Sequence, residues 1–576
     1  MGLILLSLAN QNWLDDFIAK HKRVPRILHI GNIANNAYNN AKIMRQAGLA
    51  SDVICHDYYH IMACPEWEDA DFDGGQYGDD FKPAWHAAKI KNFKRPEWFV
   101  QGALVDCQNY LLAKQANDQL EMARLWAKLS TQNGLSESRQ SDHYSQTIKR
   151  YLGINRLRLR LSELKRFLYQ SYLALQRRGR ILLQSDNGTK RIAGLLLKTG
   201  LAGLWAGYKT CSIARSVVTR YGTAVATGEY ASIHENTVER QFFDSRTRAF
   251  SSQYRDEFPD RTNRLAQNEM EFFRNSIPKW RRVLNNYDIV IGYATLSVIP
   301  LICDKAYLAF EHGTLRDIPY TDDKQGKLTA LCYRMAKHVF VTNFDCVKSA
   351  EFLAPNRFTT INHPYDEDHG NHIIGDKALR KSLKKELASE FLFFHPTRQD
   401  WIEGKGFADK GNDVFINAFI SLRKTGHKVG LVCCNWGQNV RQTQALLNQA
   451  GCMAYVKWIS PLAITPFERM CLASDIVVDQ FKLGAFGGVL FKALSVGAPI
   501  LTYLDEKAVV EQYSQCPPVI NCKTETEIRE RVEKLINQPE LLKEIGANGR
   551  SWIEKHHAKE ITVNKQVDQF RRLCKP

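Results

Sequence analysis

Short apolar runs alternate with helical patterns over much of the chain. Residues 26–32, RILHIGN, read as a buried strand that ends in glycine, and a helical pattern separates them from a second run, SDVICHD, at 51–57. Further strand-like runs are DIVIGYA (288–294), AYLAF (306–310) and HVFVT (338–342). The C-terminal half is more regular, with FLFFHPT (391–397), VGLVCCN (429–435), AYVKWI (454–459), DIVVDQF (475–481) and PILTYL (499–504) separated by helical patterns. Near-continuous apolar strands alternating with helices predict parallel sheets covered on both faces, so the chain reads as α/β, with a doubly wound pattern in its C-terminal half. Ligands are then expected beyond the carboxyl ends of the strands.

A long interruption divides the first set of strands. Its opening, residues 64–85, is acidic, aromatic and glycine-rich and reads as an ordered loop. Its later part is helical and basic. Leu157, Leu161, Leu164, Leu168, Tyr172 and Leu175 repeat at three- and four-residue steps with Arg and Lys between them, the pattern of an amphipathic helix. The polar stretch 357–372, which carries Pro364, reads as the domain junction. The expected organisation is a first domain over 1–360 with a helical insertion at about 100–285, a second domain over 361–554, and a final helix in 555–576.

Charge sharpens this picture. The chain has 576 residues and a formal net charge of +17. Between Lys149 and Arg220 there are sixteen Lys or Arg and only two acidic residues, Glu163 and Asp186, so most of the net charge is confined to one segment. Residues 192–207 are apolar apart from Lys198 and Thr199, too short to span a bilayer but long enough to lie in its interface. Two readings stay open for 149–220: attachment to an anionic membrane surface, or a helical hairpin whose charges stay in water. Nucleic acid is a weaker partner, because neither a recognised motif nor the aromatic interleaving of a single-strand groove is present. The fourteen cysteines show no CxxC spacing, and Cys433-Cys434 lie in an apolar run, which points to a reducing, cytoplasmic setting. The N-terminal patch MGLILL has no basic leader, so no cleaved signal peptide is expected.

Candidate chemistry lies at strand ends. Thr397 ends the 391–397 run, Arg398 follows it, and Lys410-Gly411 open the next helix. Unpaired N–H groups at a helix start favour an anion, and a guanidinium and an ammonium beside them suit a diphosphate. On spacing alone, solvated surface charges fit equally well. A second segment, 479–500, has Asp479 at a strand end, then Gly484, Gly487 and Gly488 before a helix, so the backbone can approach a ligand closely. On the first-domain side, Gly31, Asn32, Asn35 and Asn36 follow the first strand and are candidates for binding acceptor hydroxyls, although asparagines are also common in turns and caps. Trp458 ends a strand on the same side as the second segment; core packing is its better reading.

With these residues in hand, the C-terminal half resembles the donor-binding domain of GT-B glycosyltransferases, particularly the large retaining family 4. The resemblance covers roughly 357–510 through Arg398, Lys410-Gly411 and GAFGGVLFK at 484–492, and extends more loosely to RILHIGN, Glu311-His312-Gly313 and Pro364-Tyr365-Asp366. It implies a GT-B fold, α/β with two Rossmann-like doubly wound domains facing a cleft and the final helix, 555–576, crossing back to the first domain. It also implies transfer of a sugar from a nucleotide-sugar to a glycan or lipid-linked acceptor. Retention, no essential metal, no cofactor and a bacterial envelope polysaccharide pathway are implied with it. Arg398 and Lys410 would stabilise the leaving diphosphate, and His312 would lie near the donor sugar, unless it is a hydrogen-bonded core histidine. Two departures stand out: the family's paired glutamates fall on Gly484 and Lys492. A lysine can only donate where a carboxylate would accept from a ribose, so either Asp479 supplies the acceptor or Lys492 meets a phosphate or an acidic sugar. Asp71–Asp73 form a DxD pair, but in an acidic loop rather than a βαβ context. The alternative is a non-catalytic, membrane-associated scaffold that kept the fold. The expected location is cytoplasmic, with peripheral attachment to the inner face of the cell membrane through 149–220.

Overall fold

The computed structural model describes residues 4–72, 77–90, 93–135, 237–373, 375–402 and 409–574. The amphipathic pattern at 157–175, the apolar run at 192–207 and Asp73 lie outside them.

Two parallel sheets carry the chain. The first contains β1 (Arg26–Ile30), β2 (Ala50–His56), β5 (Phe99–Gly102), β6 (Ile289–Tyr293), β7 (Leu308–Phe310), β8 (His338–Val341) and β9 (Phe358–Thr360), in the order β5-β2-β1-β6-β7-β8-β9. A short antiparallel pair, β3 (Gly78–Asp79) and β4 (Lys82–Pro83), stands apart within the acidic loop. The second sheet contains β10 (Phe391–His395), β11 (Val429–Cys434), β12 (Val456–Ile459), β13 (Ile476–Val478), β14 (Ile500–Thr502) and β15 (Ile520–Asn521), in the order β12-β11-β10-β13-β14-β15. In each sheet the chain winds outward in one direction from its first strand, then returns to that strand's other side and winds the opposite way. The reversal leaves a crevice beyond the carboxyl ends of β1 and β6 in one sheet and of β10 and β13 in the other. These are the two Rossmann-like units that the GT-B resemblance calls for.

Both sheets are buried on both faces. Ile27 and Ile291 point into one core of the first domain, and Leu28, Ile30 and Val290 into the other. Phe391 and Phe393 fill one side of the second sheet, and Leu392 and Phe394 the other. Parts of the predicted insertion belong to the first domain's core: Tyr110, Leu125, Phe243, Tyr254 and Trp280 all pack there. The last helix, Lys559–Leu573, places Val563, Val567 and Phe570 against Trp13, Leu14 and Phe17, so the chain ends on the first domain. Its crossing point is fastened by Lys559, whose Nζ lies 2.5 Å from Asp366 and 2.6 Å from Asp368.

Candidate active site

The second-domain side forms where β10 and β13, neighbours in the sheet, both end. Asp479 follows β13 and is buried. One carboxylate oxygen accepts from Thr397 Oγ1 at 3.0 Å, and the other has no hydrogen-bond partner among the described residues. Burial pushes the Asp479 carboxyl up to about 6, although Lys410 and the Thr397 hydrogen bond act in the opposite sense. Lys410 donates to Gln480 Oε1 at 2.9 Å. Burial holds its ammonium below the ordinary lysine range; Asp479 raises it, and the charges of Arg398 and Arg316 lower it further. Arg398 is less enclosed, 43% exposed, with Nε 3.4 Å from Asp400. The loop between these cations is closed at its neck, because Lys410 N–H donates to Asp400 O at 2.8 Å and Phe481 N–H to Lys410 O at 2.8 Å. Buried Asn412 adds a tie on each side, accepting from Asp400 N–H at 3.2 Å and meeting His395 Nε2 at 3.0 Å.

Glycines shape the space in front of these groups. Gly411 caps the Asn412–Lys424 helix at φ 63°. Gly484, at φ 70°, accepts from Asp505 N–H and turns the chain tightly. Gly487 caps the Gly488–Ser495 helix without a side-chain cap among the described residues. A Cβ at Gly487 would stand 2.7 Å from Asp479 Oδ2, so the carboxylate lies against this backbone. A Cβ at Gly488 would meet no described atom within 4 Å. The start of that helix thus borders open space beside a buried carboxylate.

On the first-domain side, Gly31 follows β1 at φ 95°. Asn32 and Asn35 are buried and occupied within their own domain. Asn32 Nδ2 donates to Asn35 Oδ1 and to Ala63 O, both at 2.9 Å, and its oxygen accepts from Tyr38 N–H at 3.0 Å. Asn35 Nδ2 donates to Cys64 O at 2.9 Å. The pair thus pins the turn after β1 onto the 60–65 segment. Asn36 donates to Ile33 O and reaches the His312 ring, 3.0 Å from Nδ1. His312 follows β7. Burial, and secondarily Arg316, pulls its imidazole down to about 4, so it is neutral at physiological pH. Its ring stands edge-on to His363 at 6.0 Å, and His363 stacks on Phe491 of the Gly488–Ser495 helix at 5.5 Å. Through these rings the end of β7 reaches the glycine-started helix of the other domain.

Arg316 and Glu68 on this side carry little signal in sequence, whereas Glu311 and Lys492 are marked by the resemblance. Glu311 is fully buried and accepts from Gly313 N–H and from Asn343 Nδ2 at 3.2 Å, which organises the turn after β7. Arg316, three residues past Gly313, is clasped by Asp345. Lys492 lies 3.8 Å from Glu68 of the first domain and 5.8 Å from the centre of the Tyr365 ring. Glu68 also accepts from Asn39 Nδ2 at 2.9 Å. The lysine in the place of a resembled glutamate is thus matched by a carboxylate across the cleft. Asp71 of the DxD pair forms an ion pair with Arg469 of the second domain. Trp458 packs against the second-sheet core. Among the described residues, no helix is long and apolar enough to cross a membrane.

No protein-family model matches the chain, and no curated protein matches it. Solved structures align with about half of it. HepE of Anabaena in complex with UDP and glucose is 14% identical, covering 52% of this chain and 82% of that one at a TM-score of 0.42. Sucrose-phosphate synthase from Thermosynechococcus elongatus is 12% identical, with coverage of 53% and 79% and a TM-score of 0.39. A glycosyltransferase from Rickettsia africae is 12% identical, with coverage of 52% and 81% and a TM-score of 0.38.

Proposed function

We propose that the protein is a glycosyltransferase that moves a sugar from a nucleotide-sugar to a glycan or lipid-linked acceptor. What supports this reading is that Lys410 lies within charge range of Arg398 and Asp479, and that Asp479 abuts the Gly487–Gly488 helix start, at the ends of β10 and β13. In the proposed reaction the bond between the anomeric carbon and the β-phosphate oxygen breaks, and its electron pair stays on the phosphate. The acceptor hydroxyl oxygen bonds to the anomeric carbon, and its proton passes to the released phosphate oxygen. Fixed cations and helix N–H groups aimed at that oxygen stabilise the growing charge without reorganising. Retention at the anomeric carbon, metal independence and a role in bacterial envelope polysaccharide synthesis belong to the same proposal and rest on the family resemblance. Neutral His312 can exchange hydrogen bonds with sugar hydroxyls but adds no charge. A transfer and hydrolysis assay over a panel of nucleotide-sugars tests the reading. Arg398→Ala and Lys410→Ala should each lower the rate at least ~10-fold, a conservative bound beneath the roughly 100- to 1,000-fold cost of a lost charge-stabilising donor. Wild-type rates in both variants would remove the two cations from the mechanism.

A second reading, a non-catalytic membrane-associated scaffold, draws on Lys492, which sits with Glu68 where the resemblance calls for a hydroxyl-accepting carboxylate. Absence of both turnover and nucleotide binding would favour it. Under either reading we propose peripheral attachment through 149–220, supported by the concentration of positive charge there. Each basic residue near an anionic leaflet contributes about 1 kcal/mol. Replacing the arginines of 156–166 by glutamine should release the protein from phosphatidylserine vesicles but not alter its behaviour with neutral ones; undiminished sedimentation with the anionic vesicles would refute attachment.

A further inference from the structure

The turn after β7 brings a third cation toward the same site. Gly313 takes φ 78°, and a Cβ there would stand 2.5 Å from Arg316 Nη1, so the guanidinium folds back over its own turn. Asp345 fixes it with two contacts, Nε to Oδ2 at 2.6 Å and Nη2 to Oδ1 at 3.0 Å, and the side chain is 17% exposed. A planar guanidinium held along one edge keeps a defined orientation.

Two contacts hold this turn against the second domain. On one side, Asp345 lies in the Phe344–Cys346 turn, which touches the Glu506–Tyr513 helix, and Phe344 packs on the second-domain core. That helix begins at Asp505, bonded to Gly484 of the glycine segment. On the other side, His312 stands against His363 and, through it, Phe491. Arg316 is close enough for its charge to depress the proton affinity of both Lys410 and His312.

We infer that Arg316 is a donor-binding residue supplied by the first domain, which contacts the β-phosphate so that the diphosphate site is complete only with both domains together. The inference rests on the glycosyltransferase reading. If the acceptor binds on the first domain, the bond that breaks lies between the domains, and the phosphate next to that bond is the one a first-domain cation reaches. Lys410 and the Gly488 helix start approach the diphosphate from the second domain, and Arg316 closes the opposite side.

The test is calorimetric binding of UDP, GDP and ADP, and of the matching monophosphates, to wild type, Arg316→Ala, Arg316→Lys and Asp345→Asn. Hydrogen bonds to charged groups contribute about 1.5–3 kcal/mol, so Arg316→Ala should weaken the diphosphate that binds wild type roughly 10- to 100-fold. The monophosphate should change less than about twofold, because it lacks the group that Arg316 contacts. Arg316→Lys should recover part of the loss. Asp345→Asn keeps the cation but loosens it, and should shift the diphosphate in the same direction by less, even if Arg316→Ala fails to fold. Equal losses for mono- and diphosphate, or unchanged diphosphate binding in a folded Arg316→Ala, would overturn the inference while leaving the enzyme reading intact. Failure of wild type to bind any of the diphosphates would overturn both.

Discussion

A methyl group added at Gly487 would collide with Asp479, whereas one added at Gly488 would enter space that no described atom fills. That difference separates structural need from ligand need. Gly488→Ala should leave folding unharmed, since alanine is favoured over glycine in a helix by up to about 1 kcal/mol. If the donor diphosphate occupies that space, the same methyl should weaken nucleotide-sugar binding by about tenfold or more, the cost of one lost or displaced phosphate hydrogen bond. Thermal melting and calorimetry on one preparation read both effects. Wild-type donor affinity in Gly488→Ala would put the phosphates elsewhere. The strand-end position of each group on this side was readable in sequence from a conspicuous apolar run: Arg398 after 391–397 and Asp479 within 475–481. Arg316 was not, because its orientation comes from Asp345 and its setting from the other domain. Asn32 and Asn35 show the reverse. Their position after β1 suggested a ligand, but backbone carbonyls of the 60–65 segment take up their amides.

At the scale of elements, strand visibility followed unbroken apolar runs more closely than burial. β10 and β11 are buried at every position and stand out as apolar runs. β9, Phe358–Thr360, is an edge strand with all three residues half-buried, so its polar composition resembles a linker. β5 is fully buried, but Gln101 and Gly102 break its pattern, and β15 has only two residues. None of these supplies a candidate site residue, so missing them left the crevice legible. The terminal helix is an element whose worth lies in another domain's core. Phe570 is fully buried beside residues of the first helix, Leu8–His21. Phe570→Ala should destabilise the first domain by about 3–5 kcal/mol, the range for removing a buried aromatic ring. Hydrogen exchange locates the effect: amides of Leu8–His21 and Asn36–Gln46 should exchange faster while those of β10 and β11 stay protected. Uniform acceleration in both sheets would mean that the two domains unfold as one unit.

Across the whole molecule, buried histidines tie stability to pH. Burial holds His29 down to about 3, and His56, His312, His338, His395 and His557 down to about 4. In the unfolded chain each titrates near 6.5. Between these values the unfolded state binds more protons, so this contribution to stability is present above about pH 6.5 and is lost as pH falls toward 4. Each depressed histidine could cost roughly 3 kcal/mol over that window, from the size of the shift. Asp479, raised to about 6, has the opposite sign, because its folded form holds a proton that the unfolded form has released. The histidines outnumber it, and unfolding near pH 5.5 should take up about three to five protons net. Urea unfolding midpoints from pH 7.5 to 5 measure this as a steep decline. His557 offers the sharpest control. It stacks on Phe491 at 5.1 Å, and neither ring nitrogen has a hydrogen-bond partner among the described residues. His557→Phe keeps the stack and removes the titration, so its stability relative to wild type should rise as pH falls from 7 to 5, by up to about 2 kcal/mol. A difference that stays constant with pH would show that His557 takes up its proton without leaving the fold.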